Sequence, residues 1–209
     1  MKKQIDKTIL RGERLPVMEA FYTIQGEGMF QGVPAYFIRL GGCDVGCHWC
    51  DVKESWNADQ HPVYEVSELV SRIPEQAKCV VVTGGEPLTW NMNKLTQALH
   101  EKGKRIHIET SGAYEVTGSW DWFCLSPKKR KLPTARAYDL ADELKVIIYN
   151  KSDFDFAEQQ AEKVNENCAL LLQAEWSKRE ERTPEIVEYV KKNTKWRISI
   201  QTHKYIDVP

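Results

Sequence analysis

Cys43, Cys47 and Cys50 stand in a C-x3-C-x2-C spacing inside Gly41-Gly42-Cys43-Asp44-Val45-Gly46-Cys47-His48-Trp49-Cys50-Asp51. Three thiolates on one tight loop can each bind one iron of a [4Fe–4S] cube. Most such clusters take four cysteines; three leave one iron open to an outside ligand, which a catalytic cluster needs. Two blander chemistries compete. Zn²⁺ could take the three thiolates plus His48, although His48 lies between two of the cysteines and no second C-x2-C exists to close a tetrahedron. The thiols could also be inert. A second segment with chemical content is Thr83-Gly84-Gly85-Glu86-Pro87, where paired glycines allow close backbone approach to a ligand and Glu86 can accept from an ammonium. Cys79, Cys124 and Cys168 are scattered in apolar runs and read as small buried hydrophobes.

These residues need a scaffold, and the pattern supplies alternating strands and helices. Strand-like runs cover Val17–Ile24, Ala35–Leu40, Cys79–Thr83, Arg105–Glu109, Trp122–Leu125, Glu143–Tyr149, Ala169–Glu175 and Trp196–Gln201. Cys79-Val80-Val81-Val82 and Ala169-Leu170-Leu171-Leu172 are nearly continuous apolar, as in strands covered on both faces of a parallel sheet. Helical periodicity marks Val66–Ile73, Asn93–Lys102 with Gly103 as its stop, Phe154–Asn165, and Pro184–Asn193 with Thr183 as N-cap and Pro184 at the first helical position. Strand followed by helix implies parallel strands with right-handed crossovers. Four or so helices are too few for a closed eightfold barrel, so the expected fold is α/β, an incomplete, trimmed (β/α) barrel of mostly parallel strands. Residues 1–209 read as one domain, with Lys53–Tyr64 a polar loop or short insertion. The cysteine loop follows a strand end, where α/β folds place their active sites.

Bulk composition is that of a globular protein: 42% hydrophobic, 28% charged, net charge −1. No global basic field attracts nucleic acid, and no apolar run approaches the roughly 18 residues of a membrane span. The polar start Met1-Lys2-Lys3-Gln4-Ile5-Asp6 lacks a secretory apolar segment, so the expected location is the cytoplasm.

The C-x3-C-x2-C loop with the aromatic Trp49 before its last cysteine resembles the signature of the radical S-adenosylmethionine (SAM) superfamily. Thr83-Gly84-Gly85-Glu86-Pro87 resembles the superfamily's strand-end motif that receives the SAM amino group. Four further segments narrow the resemblance: Phe21-Tyr22-Thr23-Ile24-Gln25-Gly26-Glu27-Gly28, Arg39, Ser126-Pro127-Lys128, and the end Gln201-Thr202-His203-Lys204-Tyr205-Ile206-Asp207-Val208-Pro209. From near Pro16 onward the chain is similar to the 7-carboxy-7-deazaguanine synthase family. That resemblance implies a lyase in which one electron from the cluster cleaves SAM. The resulting 5′-deoxyadenosyl radical converts 6-carboxy-5,6,7,8-tetrahydropterin to 7-carboxy-7-deazaguanine, a ring contraction with loss of ammonia on the route to queuosine.

The resemblance further implies that Trp49, Cys50, Asp51, Gly85, Glu86, Ser111, Ser126, Pro127, Lys128 and Gln173 serve SAM, and that Ile24, Gln25, Gly26, Glu27, Arg39, Thr83, His203 and Pro209 serve the pterin. The side chains suit this. Gln25, Gly26 and Glu27 can pair with a guanidine-like edge, and Arg39 can take a carboxylate bidentately. It also implies a homodimer and a flavodoxin or ferredoxin as electron donor. Blander roles stand beside these: Gly26 and Gly28 as a turn, Arg39 in a rim salt bridge, Ser126-Pro127-Lys128 as a loop after a strand, Lys128–Lys131 as a solvated face with Lys128 alone turned inward, Lys204 on the surface, and Trp120 and Trp122 as core or rim residues.

One departure from the family pattern concerns Mg²⁺. Relatives often carry a hydroxyl residue after the aspartate that follows the last cysteine, associated with Mg²⁺ beside the substrate; here the pair is Asp51-Val52. Valine offers a hard cation no oxygen, leaving substrate, water and Asp51 as Mg²⁺ ligands and pointing to weak or absent dependence. Two other functions fit part of the sequence: a radical SAM activase that makes a glycyl radical on a partner protein, and a zinc-stabilised binding module without enzymatic activity. The Gln25–Gly28 segment and the proline-ended tail favour a small buried substrate over the first; iron and sulfide in near equal amounts would exclude the second.

Overall fold

The computed structural model describes residues 6–209. Nine strands form one sheet in the order β3-β1-β2-β4-β5-β6-β7-β8-β9. They are β1 (Arg14–Ile24), β2 (Pro34–Leu40), β3 (Val63–Glu65), β4 (Cys79–Gly84), β5 (Arg105–Thr110), β6 (Trp122–Leu125), β7 (Glu143–Ile148), β8 (Ala169–Ala174) and β9 (Trp196–Ser199). β1 runs antiparallel to both β2 and β3. From β2 to β9 every pairing is parallel. The sheet is open, and the expected trimmed α/β architecture is the one found.

The four helices anticipated from periodicity are α2 (Val66–Ser71), α3 (Asn93–Glu101), α5 (Ser152–Ala161) and α6 (Arg179–Lys192). Shorter ones are α1 (Lys7–Leu10), α4 (Ala135–Asp139) and α7 (His203–Ile206). α3 ends as its sequence demands, with Gly103 at φ +66° just beyond the C-cap. The start of α6 does not follow the expectation of Thr183 as N-cap and Pro184 at the first position. The helix begins at Arg179, continuing a 3-10 turn at Trp176–Lys178, and Pro184 lies inside it. Arg182 bridges Glu181 and Glu185 across this first part of the helix, ion pairs that extend it ahead of the proline. The Lys53–Tyr64 stretch is also more ordered than a loop, with 3-10 turns at Lys53–Trp56 and Ala58–Gln60 leading into β3.

One large apolar cluster lies between the helices and one sheet face. It is built from Ile38, Leu40, Val80 and Val82 of the inner strands, Leu69, Leu95 and Leu99 of the helices, and Ile106, Leu125, Leu144 and Leu172 farther along. Burying each such side chain contributes about 1.5–3 kcal/mol. Cys79, Cys124 and Cys168 are buried and unpaired, as expected. The other sheet face is left free along its carboxyl ends, and there the chemically active residues gather.

Candidate functional site

A cleft of about 420 Å³ opens at the carboxyl ends of the parallel strands, and Cys43, Cys47 and Cys50 all line it. The cysteine loop leaves β2 at Leu40 and is held from several sides. The Gly42 and Cys43 N–H groups donate to Ser55 O (2.6 Å) and Trp56 O (3.0 Å), and the Trp90 indole donates to Gly41 O (2.8 Å). Arg130 Nη1 donates to Gly46 O (2.7 Å), and Lys131 pairs with Asp44 at 3.2 Å. The Lys128–Lys131 run is thus more than a solvated face: two of its members clamp the cysteine loop. Lys128 does turn inward, donating to Ser126 Oγ (2.6 Å) and lying 5.5 Å over the Trp49 ring.

The glycine pair after β4 is required by protein backbone rather than by ligand alone. A Cβ on Gly84 (φ +140°) would overlap the Leu40 backbone, and one on Gly85 would overlap Gly42 O. That close approach lets Gly85 N–H donate to Leu40 O (2.9 Å) and Glu86 N–H to Gly42 O (2.8 Å), tying the two loops together.

Glu86 is 1% exposed and fully engaged. One carboxylate oxygen accepts from Leu88 N–H (3.0 Å) and the Thr110 hydroxyl; the other accepts from Ser111 N–H (2.7 Å) and the Ser111 hydroxyl. Four donors fill the four acceptor positions of a carboxylate. The geometry therefore differs from a free acceptor awaiting an ammonium: Glu86 locks the end of β5 under the loop.

Do the residues fit the cluster? The three thiols are free and half-buried on one wall of one cleft. Burial pushes the Cys43 and Cys47 thiols up, so a positive centre is needed to hold them as thiolates, and iron supplies it. Among the described residues no three His, Cys, Asp or Glu side chains converge on a single metal-ion position. His48 is exposed and packs edge-on to Tyr149 at 4.8 Å. Three thiols along one cavity with no fourth ligand beside them among the described residues suit a cluster with one open iron better than a closed tetrahedral zinc site. A divalent ion at Asp51 fits poorly: the Val52 side chain has no oxygen to give, the Val52 carbonyl already accepts from Ser55 N–H and Oγ, and Asp51 Oδ2 already accepts from Lys204 Nζ at 2.9 Å. Lys204, expected on the surface, lies instead at the rim of the cleft, 4.8 Å over the Trp176 ring.

The same cleft gathers the remaining expected residues. Ile24, Gln25, Gly26, Glu27, Arg39, Trp49, Asp51, Thr83, Gly85, Glu86, Ser111, Ser126, Lys128, Gln173, His203 and Pro209 all line the cleft, and Pro127 alone of the expected set does not, being buried behind Ser126 and Lys128. Arg39 makes the salt bridge foreseen as its bland role, Nε to Glu19 at 2.6 Å, while still facing the cleft. Gly26 is more than a turn: a Cβ there would overlap the His203 ring, and its carbonyl accepts from Thr202 N–H at 2.8 Å. α7 therefore packs directly on this glycine. Burial pushes His203 down, against the opposing pull of Glu27.

Among the cleft residues to which sequence reasoning gave no site role, Glu109, Lys145 and Gln201 join Glu27 and Gln25 in one polar network. Lys145 Nζ lies 2.5 Å from Glu27 Oε2 and 3.9 Å from Glu109 Oε2. Gln201 Nε2 donates to Glu27 Oε1 (2.8 Å), and Gln25 Nε2 to Glu109 Oε1 (2.9 Å). Burial would push the Glu27 carboxyl up, yet Lys145 and the hydrogen bonds from Lys145, Gln201 and Gln173 bring it down to about 2. The available signal was a lysine amid the apolar run Leu144-Lys145-Val146-Ile147-Ile148, a charge that a buried strand carries only when it is paired.

Comparison with known proteins agrees with this arrangement. The radical SAM superfamily model matches residues 37–116. A 7-carboxy-7-deazaguanine synthase of Flavobacterium psychrophilum is 64% identical over 209 residues, covering 100% of both chains. One from Synechocystis is 50% identical over 92% of this chain and 93% of the relative. The crystal structure of QueE from Escherichia coli superposes with a TM-score of 0.82 at 30% identity, covering 96% of this chain and 100% of that one.

Proposed function

The chain belongs to the 7-carboxy-7-deazaguanine synthases, radical SAM enzymes of queuosine biosynthesis, and from that premise we infer how its own residues serve the reaction. It converts 6-carboxy-5,6,7,8-tetrahydropterin to 7-carboxy-7-deazaguanine with loss of ammonia, using a [4Fe–4S] cluster and SAM. When bound, the cluster supplies the electron and SAM the radical that takes a hydrogen atom from the substrate.

We propose that Cys43, Cys47 and Cys50 hold the cluster and that Trp49, Asp51, Gly85, Ser111, Ser126, Lys128 and Gln173 shape the adjoining SAM site, with Pro127 backing it. Glu86 acts in this scheme through Thr110 and Ser111, whose donors it fixes. On the far wall Ile24, Gln25, Gly26 and Glu27 meet the pterin edge. The Nη edge of Arg39, whose Nε serves Glu19, takes the substrate carboxylate bidentately. Thr83, His203 and Pro209 close the substrate between β4 and α7, excluding water from the radical chemistry. Residues 1–209 act as one domain in the cytoplasm; among the described residues no helix is long and apolar enough to cross a membrane.

Turnover is proposed to proceed without Mg²⁺, because the Val52 side chain offers no oxygen and Lys204 pairs with Asp51 Oδ2. Flavodoxin or ferredoxin serves as reductant, and the enzyme works as a homodimer, a reading that exposed Ile198 and Ile200 on and beside the edge strand β9 support. The observation that carries the whole reading is one cleft lined both by the three thiols and by the Gln25–Glu27 segment with His203.

The test is anaerobic reconstitution with iron and sulfide, reduction, and addition of SAM and 6-carboxytetrahydropterin. 5′-Deoxyadenosine and 7-carboxy-7-deazaguanine are followed by mass spectrometry. Both should form, and both should vanish in Cys43→Ala. Deoxyadenosine without deazaguanine would overturn the substrate and favour the activase reading.

A further inference from the structure

The scheme above leaves one buried cation without a task. Lys145, in the middle of β7, has a side chain only 5% exposed, and its ammonium sits between the carboxylates of Glu27 and Glu109. Glu143, two residues earlier, is not free to join them: it accepts from Met29 N–H, the Trp122 indole and the Cys124 thiol. The other charges facing this group are His203 from α7 and Lys128 from the segment after β6.

Two carboxylates against one ammonium leave this three-residue group one negative charge in excess. Each carboxylate offers four acceptor positions. Glu27 commits one to Lys145, one to Gln201 and one to Gln173; Glu109 commits one to Gln25. The rest remain open, and they can only accept. Without the ammonium, two half-buried carboxylates this close would not both stay fully ionised, and one would take a proton and become a donor.

We propose that Lys145 is a positioning residue for substrate polarity: it keeps Glu27 and Glu109 as an acceptor-only pair that admits a heterocycle edge carrying an exocyclic amino group beside a ring N–H, and rejects the same ring with a carbonyl in place of the amino group. This deepens the proposed function and rests on it. Lys145 acts through the two glutamates, not by contact with the reacting atoms. Discrimination of this kind can be large, since a wrong edge leaves buried polar groups facing like groups. The depressed Glu27 carboxyl agrees with the geometry.

The experiment measures binding of 6-carboxypterin and of 6-carboxylumazine, its 2-oxo counterpart, to the cluster- and SAM-loaded enzyme between about pH 5.5 and 7.5. Parent enzyme and Lys145→Arg should bind the pterin with a Kd that hardly changes with pH, and should strongly prefer it to the lumazine. Lys145→Met should lose pterin affinity about tenfold per pH unit below a new midpoint in this range. Its preference over the lumazine should shrink in step, because the protonated carboxyl now donates. Deoxyadenosine formation without substrate and the melting temperature report whether the rest of the enzyme is intact. Should Lys145→Met fail to fold, Lys145→Gln retains a donor to Glu27 without the charge and is read the same way. An intact neutral variant with the parent's flat profile and the parent's preference overturns the assignment of Lys145 alone. A parent enzyme that neither binds 6-carboxypterin nor makes deazaguanine overturns the functional reading, and this inference with it.

Discussion

Replacing Glu86 by glutamine exchanges one carboxylate oxygen for an NH2 group and separates two accounts of this residue. In the structure both carboxylate oxygens accept, one from Leu88 N–H and the Thr110 hydroxyl, the other from Ser111 N–H and its hydroxyl. The two hydroxyls can rotate to accept from an amide NH2, but the two backbone N–H groups cannot. Whichever way the glutamine is turned, its NH2 faces one backbone N–H, and a buried donor is left without an acceptor, costing about 1–3 kcal/mol. The other bonds lose their charge assistance. The expected total for Glu86→Gln is about 3 kcal/mol, which for a chain of this size lowers Tm by about 6–12 °C. Urea denaturation should show the same loss as a lower midpoint at unchanged slope. If Glu86 served mainly to accept the SAM ammonium, the variant would lose SAM affinity at parental stability. A Tm within about 2 °C of the parent would refute the reasoning that its acceptors are filled by the protein.

Three further outcomes follow from other parts of the cleft and its surroundings. His107 is buried between Phe30 and Trp122 with its Nε2 unpartnered; burial, aided by Arg105 and opposed by Asp121, pushes it down to about 4. The unfolded chain then binds the extra proton between about pH 6.5 and 4, so stability falls across that window on acidification, by up to about 3 kcal/mol; His107→Phe should flatten this limb of a Tm-versus-pH curve, and an unchanged limb would refute the assignment. Gly26→Ala drives a methyl into the His203 ring. It should cost about 1–3 kcal/mol and cut kcat/KM for the pterin at least tenfold, while substrate-free deoxyadenosine formation persists; unaltered kinetics would show that α7 does not shape the substrate wall. Val52→Thr supplies the missing oxygen beside Asp51 and should make turnover respond to added Mg²⁺, a response the parent lacks; identical titrations of the two proteins would remove the argument.

Where local chemistry spoke, sequence sufficed. The cysteine spacing, the apolar strands β4 and β8, and the Gly103 stop of α3 all lie where residue type alone puts them, because each is determined within a few positions. Glu109, Lys145 and Gln201 were missed for the opposite reason. Their partners are 84, 118 and 174 positions away or converge from different strands, and no window of sequence holds both ends of such a bond. The early start of α6 was hidden by Pro184, a residue that usually opens a helix, because ion pairs of Arg182 outweigh the missing N–H. Glu86 was identified as important for a reason the structure changes: residue type says acceptor, but only the fold says that four protein donors reach it first.

The stitching of the two ends of the chain at the cleft also bears on the order of events during synthesis. Gly28 N–H meets Ser199, Glu27 meets Gln201, and Thr202 N–H meets the Gly26 carbonyl, contacts that cross more than 170 positions. Such closures form last. A ribosome adding about 5–20 residues per second needs about 8–30 s between the emergence of Cys50 and that of Gln201. Throughout that interval the three cysteines and the Gln25–Glu27 segment have emerged while Ser199, Gln201 and α7 have not, so iron and sulfide delivered then meet an open trough rather than a finished chamber.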